Sequence, residues 1–311
     1  MLNFEGRVAI VTGAGHGLGR AYAKLLAERG AKVLVNDRGV DFRGTGVDSS
    51  VAQVVVDEIV AAGGIALANG DTVATREGAD SIVAQALSQW GQVDILINNA
   101  GVVTSASPIS IMTDEMWEID ISVAAGGTFQ MCRAVWDHMI ARDYGRILNV
   151  SSGSFLGMGS GVGYPAAKGA TWGITRGLAS AARQGGRNIM TNCVMPTAAS
   201  RMTHLMGTEI AAAMERAYPP ESAAPVAAYL VHEEVPCNGE MFRIGGSGFR
   251  RVFIGVTPGW KGEATVMSME DARDHFAQVM DPAGYVIPRN NTEALDHHAG
   301  VNWASFLDYV Q

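Results

Sequence analysis

Tyr164 and Lys168 stand four residues apart in the stretch YPAAK, residues 164–168. Positions i and i+4 share one face of an α-helix, so a helix beginning here presents a phenol and an ammonium together. A tyrosine hydroxyl titrates near about pH 10, and a neighbouring positive charge favours its ionised form. Such a pair could pass a proton to or from a substrate oxygen near neutral pH. The stretch before it, SSGSFLGMGSGVG at 151–163, is rich in glycine and suited to border a substrate pocket. By itself the Tyr–Lys spacing is a common surface pairing; other motifs must give it meaning.

The first such motif is TGAGHGLG, residues 12–19. It follows the apolar run RVAIVT and precedes Leu18, Ala21, Leu25 and Leu26 at helical spacing, so it reads as strand, tight turn and helix. Gly13, Gly17 and Gly19 permit a sharp turn and a close backbone approach. The open N–H groups of the following helix favour an anion such as a pyrophosphate, with His16 and Leu18 in the same loop. Asp37 closes a second strand, AKVLVND, 18 residues after Gly19. A carboxylate there can accept hydrogen bonds from both hydroxyls of an adenosine ribose and repels a 2′-phosphate, which favours NAD over NADP. Arg38 is the reservation, since a guanidinium can pair with that phosphate. Asp71, in NGDTV, is placed to accept from adenine, with Thr72 beside it; a loop-capping role explains Asp71 equally well.

These motifs need a scaffold of alternating strands and helices. Helices are expected at 51–62, 75–90, 113–142 and 164–184, and strands at 64–68, 93–98, 146–151 and 188–195. VDILIN at 93–98 lacks polar alternation, as a strand buried on both faces does. The pattern predicts an α/β fold, a Rossmann-type doubly wound parallel sheet in a single domain over 1–248. Further helices are expected at 205–217 and 221–232, and EMFRIGG supplies a last strand. Residues 249–311, with a helix at 268–280, form a C-terminal extension packed on the domain or on a neighbouring subunit.

Composition narrows the classes. The 311 residues can bury a large core, and a net charge of −8 without a basic run argues against a nucleic-acid partner. Cys132, Cys193 and Cys237 have neither the number nor the spacing of a disulfide framework or a zinc site, and no metal is expected. No apolar run approaches a membrane span, and neither a secretory leader nor a peroxisomal C-terminal address is seen, so the expected location is the cytoplasm.

TGAGHGLG, NNAG at 98–101, NVSS at 149–152 and YPAAK, in that order and spacing, resemble the short-chain dehydrogenase/reductase family over about residues 5–248. Within it, VNDRGVDFRGTG (35–46), CRAVWDHM (132–139), YGRILNVSS (144–152) and SRMT (200–203) are similar to the (3R)-hydroxyacyl-CoA dehydrogenase units of type 2 peroxisomal multifunctional enzymes, also called 17β-hydroxysteroid dehydrogenases of type 4. The resemblance implies that Tyr164 is the general acid/base and that Lys168 activates it and binds the nicotinamide ribose. A serine of NVSS would hold the reacting oxygen. Strand register selects Ser152, whereas counting back thirteen residues from Tyr164 gives Ser151; we take Ser152. Asn99, Ala100 and Gly101 are expected beneath the cofactor ribose, although Asn98 and Asn99 could equally serve backbone groups between strands. Pro196, Thr197 and Ala199, in a turn that runs to Ser200, are expected near the carboxamide.

Two departures stand out. Ala124 occupies the place where many relatives carry an asparagine that supports a water chain to the lysine, and MPTAASRMT (195–203) lacks their proline–glycine. His204, Met202, Met206 and Met214 read as ordinary solvated or apolar side chains rather than as a special site. The implied activity is an NAD-dependent oxidation of a secondary alcohol, foremost a (3R)-3-hydroxyacyl-CoA. A hydroxysteroid dehydrogenase or a 3-oxoacyl reductase is the alternative within enzymes, and a dinucleotide-binding regulator with weak activity the alternative outside them. Small residues over 169–182, together with the family's habit, suggest a homodimer or homotetramer.

Overall fold

β1 (Val8–Thr12) is buried at every position and pairs in parallel with β2 (Lys32–Asn36), from Val8 opposite Lys32 to Thr12 opposite Asn36. Side chains such as Ile10 and Leu34, fully buried, contribute roughly 1.5–3 kcal/mol each. In the computed structural model, which describes residues 1–41, 43–48, 50–104, 108–157, 161–200, 207–262, 266–291 and 293–294, these strands belong to an eight-stranded sheet. The other strands are β3 (Ile65–Asn69), β4 (Ile95–Asn98), β5 (Gly145–Val150), β6 (Ile189–Pro196), β7 (Met241–Gly245) and β8 (Gly248–Val252). Their order is β3-β2-β1-β4-β5-β6-β7-β8. The order reverses between β1 and β4, and in open α/β sheets ligands bind at the carboxyl ends of strands at such a reversal.

Helices cover both faces. One core joins α1 (Gly17–Glu28), α2 (Ser50–Ala61) and α8 (Ala224–Tyr229) to the sheet; the other joins α3 (Arg76–Trp90), α5 (Gly127–Arg142) and α6 (Gly163–Gln184). α3 is well delimited: the Thr75 hydroxyl accepts the Gly78 amide, and Gly91 ends the helix with φ of 75°. The chain divides into two compact units, Met1–Arg251 and Val252–Gln311; the second contains α9 (Met269–Met280), opened by a reciprocal capping box between Ser268 and Asp271.

Three expectations need correction. The helix expected over 113–142 is α4 (Asp114–Asp120), a π-helical segment (Ile121–Gly126) and then α5. The glycine pair Gly126–Gly127 weakens the regular ladder, and Ala124 and Ala125 pack on Ala167 of α6. The helix expected over 221–232 shrinks to a 3₁₀ turn and the six residues of α8, because the amides of Val231 and His232 bond three residues back and Nδ1 of His232 accepts the Glu234 amide. Finally, β7 is not the last strand. Gly245, Gly246 and Ser247, all at positive φ, turn the chain into β8. α7 (Thr208–Ala217) forms the described part of the helix expected at 205–217.

Candidate active site

The glycine turn is built around Thr12, the last residue of β1. Its hydroxyl accepts the amides of Asn99 and Ala100, both at 3.1 Å, which ties the end of β1 to the segment after β4. Asn99 returns the contact, its side-chain amide donating to the carbonyls of Thr12 at 3.0 Å and Gly13 at 2.9 Å. Asn99→Ala strips donors from both carbonyls and is expected to cost about 1–3 kcal/mol in urea unfolding, with weaker dinucleotide binding alongside. Asn98 behaves differently from the expectation of a backbone partner: it donates to the Asn149 side chain at 2.9 Å, and Asn149 passes the chain on to Thr175.

Gly19 sits behind the turn, where a Cβ would overlap the Gly13 carbonyl, so it serves close packing and does not line the cleft. Gly17 faces open space: its φ is +51° and an added Cβ would meet no atom within 4 Å. His16 precedes α1 without capping it through its side chain, and the first turn holds no acid, so the helix's N–H groups remain available to an anion. Asp37, 8% exposed, accepts the Gly15 amide and the Gly39 amide, each at 2.8 Å. That bonding holds the carboxylate in the cleft wall with acceptor positions to spare. These features suit a dinucleotide: an unobstructed turn, a free helix N-terminus, and a fixed acid at the ribose position.

The cleft, about 450 Å3, brings together Gly13, His16, Gly17, Leu18, Asp37, Asp71, Thr72, Asn99, Ala100, Gly101, Ser152, Tyr164, Lys168 and Pro196. The Asp71 carboxylate is partly engaged by neighbouring elements, accepting from Ser81 of α3 at 2.8 Å and from Asn69 at the end of β3 at 3.1 Å. Thr197 and Ala199 do not line the cleft; Ala198 and Ser200 do. The amide of Thr197 is taken by the Ile244 carbonyl and that of Ala199 by the Tyr218 carbonyl, which turns those two residues away. His204, Met202 and Met206 lie outside the described residues. Sequence reasoning also missed Val40 and Gly44, within VNDRGVDFRGTG, and Ile119, Ser122 and Val123 around the π-helical segment.

At the chemical end, α6 begins at Gly163 and places Tyr164 and Lys168 on one face, the ammonium 5.6 Å from the centre of the phenol ring. Lys168 is 4% exposed and its Nζ donates to the Val150 carbonyl at 2.7 Å. A Cβ on Gly101 would stand 3.3 Å from that nitrogen, so glycine leaves the ammonium room. The two serines divide their work. Ser151 is buried and donates to the Lys168 carbonyl at 2.7 Å, while Ser152 lines the cleft with Tyr164, where it favours the ionised phenol, and accepts the Ser154 amide at 3.2 Å.

Electrostatics amend the simple picture of an ammonium acidifying the phenol. Burial holds the Tyr164 hydroxyl above its ordinary value; the Ser152 bond opposes this and the Asp120 charge adds to it. Burial also brings the Lys168 amine down to about 8, with Cys193 opposing. In the protein alone, then, the phenol is not acidified. At the π-helical segment, the Ala124 carbonyl accepts the Thr128 hydroxyl at 2.7 Å, and the Ala124 methyl lies buried.

Among the described residues, no cluster of three or more His, Cys, Asp or Glu could hold a metal, and no helix is long and apolar enough to cross a membrane. The sequence pattern described as short chain dehydrogenase matches residues 7–211. The chain is 41% identical to the peroxisomal multifunctional enzyme type 2 of Mus musculus over 90% of its own length and 37% of that protein. It is 39% identical to the peroxisomal multifunctional enzyme A of Dictyostelium discoideum over 89% of its length and 61% of that protein. The chain thus spans between about a third and three-fifths of these curated relatives. Among solved structures, a short chain dehydrogenase from Mycobacterium avium superposes with a TM-score of 0.73 at 32% identity, over 89% of this chain and 97% of that one. That pattern covers most of the chain, including the glycine turn and the Tyr–Lys helix, and the chain belongs to the short-chain dehydrogenase/reductase family of nicotinamide-dependent oxidoreductases.

Proposed function

We propose that the protein interconverts a secondary alcohol and a ketone with NAD, and that its substrate is a (3R)-3-hydroxyacyl-CoA. One observation carries the chemistry: Ser152, Tyr164 and Lys168 line the same cleft as Asp37, with the Ser152 hydroxyl favouring the ionised phenol and Lys168 one turn behind. The acyl-CoA part rests on the resemblance to the dehydrogenase units of multifunctional enzymes.

A bound nicotinamide dinucleotide would supply the hydride acceptor for oxidation and the donor for reduction. Tyr164 takes the hydroxyl proton as the carbinol hydrogen leaves with its electron pair; reduction reverses both transfers. Ser152 holds the substrate oxygen in line with the phenol, and Lys168 favours negative charge on the phenol oxygen. Because burial raises the phenol, its ionisation calls for nearby positive charge, which a bound oxidised cofactor would add to that of Lys168. With Ala124 lacking a polar side chain, proton return to Tyr164 runs through backbone groups or other side chains.

Oxidation of a panel of (3R)- and (3S)-3-hydroxyacyl-CoA thioesters and free hydroxysteroids, followed by NADH absorbance, tests this reading. The (3R)-thioesters are expected to be turned over with the highest kcat/KM; turnover of steroids alone would overturn the acyl-CoA assignment. Asp37→Ser removes the ribose acceptor and the charge that repels a 2′-phosphate, leaving Arg38 in the cleft wall. The ratio of kcat/KM for NAD over NADP should fall by about 10²-fold, or about 3 kcal/mol at the ribose. We further propose a homo-oligomer paired through α5 and α6, where Gly173 and Gly177 have open space above them; sedimentation at the mass of one chain would refute it.

A further inference from the structure

The first turn of α6 has no cap of its own. Val162 makes no side-chain capping bond, the turn contains no acid, and Pro165 has no N–H to offer. A carboxylate reaches it from another element. Asp120, the last residue of α4, is 0% exposed, and its Oδ1 accepts the Thr104 amide at 2.9 Å. Oδ2 has no close partner and lies against α6, where a Cβ on Gly163 would stand 2.7 Å away. The backbone amide of Tyr164 acts favourably on the same carboxylate.

We propose that Asp120 is a positioning residue for Tyr164: from outside α6 it anchors the turn that carries the phenol, and its negative charge governs how readily that phenol releases a proton. The inference rests on the acid/base reading of Tyr164. An anion at a helix N-terminus is favourable for the helix, yet the same charge opposes a phenolate one residue away. Burial raises the Asp120 carboxyl above its ordinary value, and the Thr104 bond and the nearby Tyr164 amide work against that rise. Among the described residues, the other charged or titratable groups around the phenol are Lys168, which is turned to the Val150 carbonyl, and Cys193 of β6, which lies beside Lys168. The remaining acids of α4, Asp114, Glu115 and Glu118, are exposed. A charge that keeps the phenol protonated suits delivery of a proton to a ketone and moves alcohol oxidation to more alkaline pH.

Asp120→Asn keeps the acceptor for Thr104 and removes the charge. The test is a titration of the protein carrying tyrosine labelled with 13C at Cζ, with Tyr164→Phe identifying the signal. The phenol midpoint should fall in the Asn variant, and below the midpoint the ionised population should rise about three- to tenfold, as expected for removing one nearby charge in a partly screened interior. An unmoved midpoint overturns the proposal whether or not the enzyme turns over. If Asp120→Asn does not fold, Gly163→Ala, whose methyl must push Oδ2 aside, is titrated in the same way and must also lower the midpoint. The acidic limb of kcat/KM for (3R)-3-hydroxybutyryl-CoA oxidation should move to lower pH in step. Absence of turnover in the parent defeats the substrate reading alone, since the titration still decides the role of Asp120.

Discussion

Tyr164→Phe is expected to lower kcat about 10²–10⁴-fold while NADH binding, read by fluorescence, stays within about twofold of the parent. The substitution removes one oxygen and leaves the ring, which sits over the Lys168 side chain in the first turn of α6. It deletes the one side-chain atom of Tyr164 that can exchange a proton and on which Ser152 acts. The glycine turn, Asp37 and the Asn99 bonds to Thr12 and Gly13 are untouched. A variant that keeps its turnover would place the acid/base elsewhere; one that loses NADH binding as well would point to collapse of the site.

Lys168→Met should produce the second largest effect, a fall in kcat of about 10²–10³-fold, with a signature in stability that no merely catalytic loss would show. The amine is buried and its folded value, about 8, lies below the ordinary 10.5. Between those two values the unfolded chain holds more protons than the folded one, so this group makes stability rise with pH. Below about pH 8 the full penalty for burying a charged amine is present, and above about pH 10.5 it is gone. The 2.5 units between them correspond to about 3 kcal/mol. Methionine is of similar length and carries no such penalty. In urea unfolding the stability gained by the variant over the parent should therefore be greatest below pH 8 and shrink steadily toward pH 10.5. A difference that does not change over that window would show that Lys168 is not depressed by burial.

Much of the architecture was legible because the strands are short, β-branched and apolar, and because βαβ units accept one hand of crossover. RVAIVT, AKVLVND and VDILIN led directly to three adjacent parallel strands, with the glycine turn at the reversal of strand order. The long helix over 113–142 misled because periodicity does not distinguish an unbroken helix from two joined by a π-helical segment. What breaks it is tertiary, the contact of Ala124 and Ala125 with Ala167. β8 was missed for a related reason: GFRRV has no alternation that marks it, and the positive φ of Gly245, Gly246 and Ser247 is what turns it into the sheet.

Residue types and spacing alone determined that a phenol and an ammonium share a helix face and that a glycine turn precedes an acid at the end of the second strand. These are local facts, fixed by helical and strand periods within a few residues. Which of two adjacent serines turns to the Lys168 carbonyl, which residues after Pro196 face the cleft, and that a buried acid from α4 stands at the start of α6 were decided only by the tertiary structure. Each depends on where separate elements come to rest against one another. Burial depends on the same thing, and burial moves both the phenol and the amine away from the values their side chains have in water.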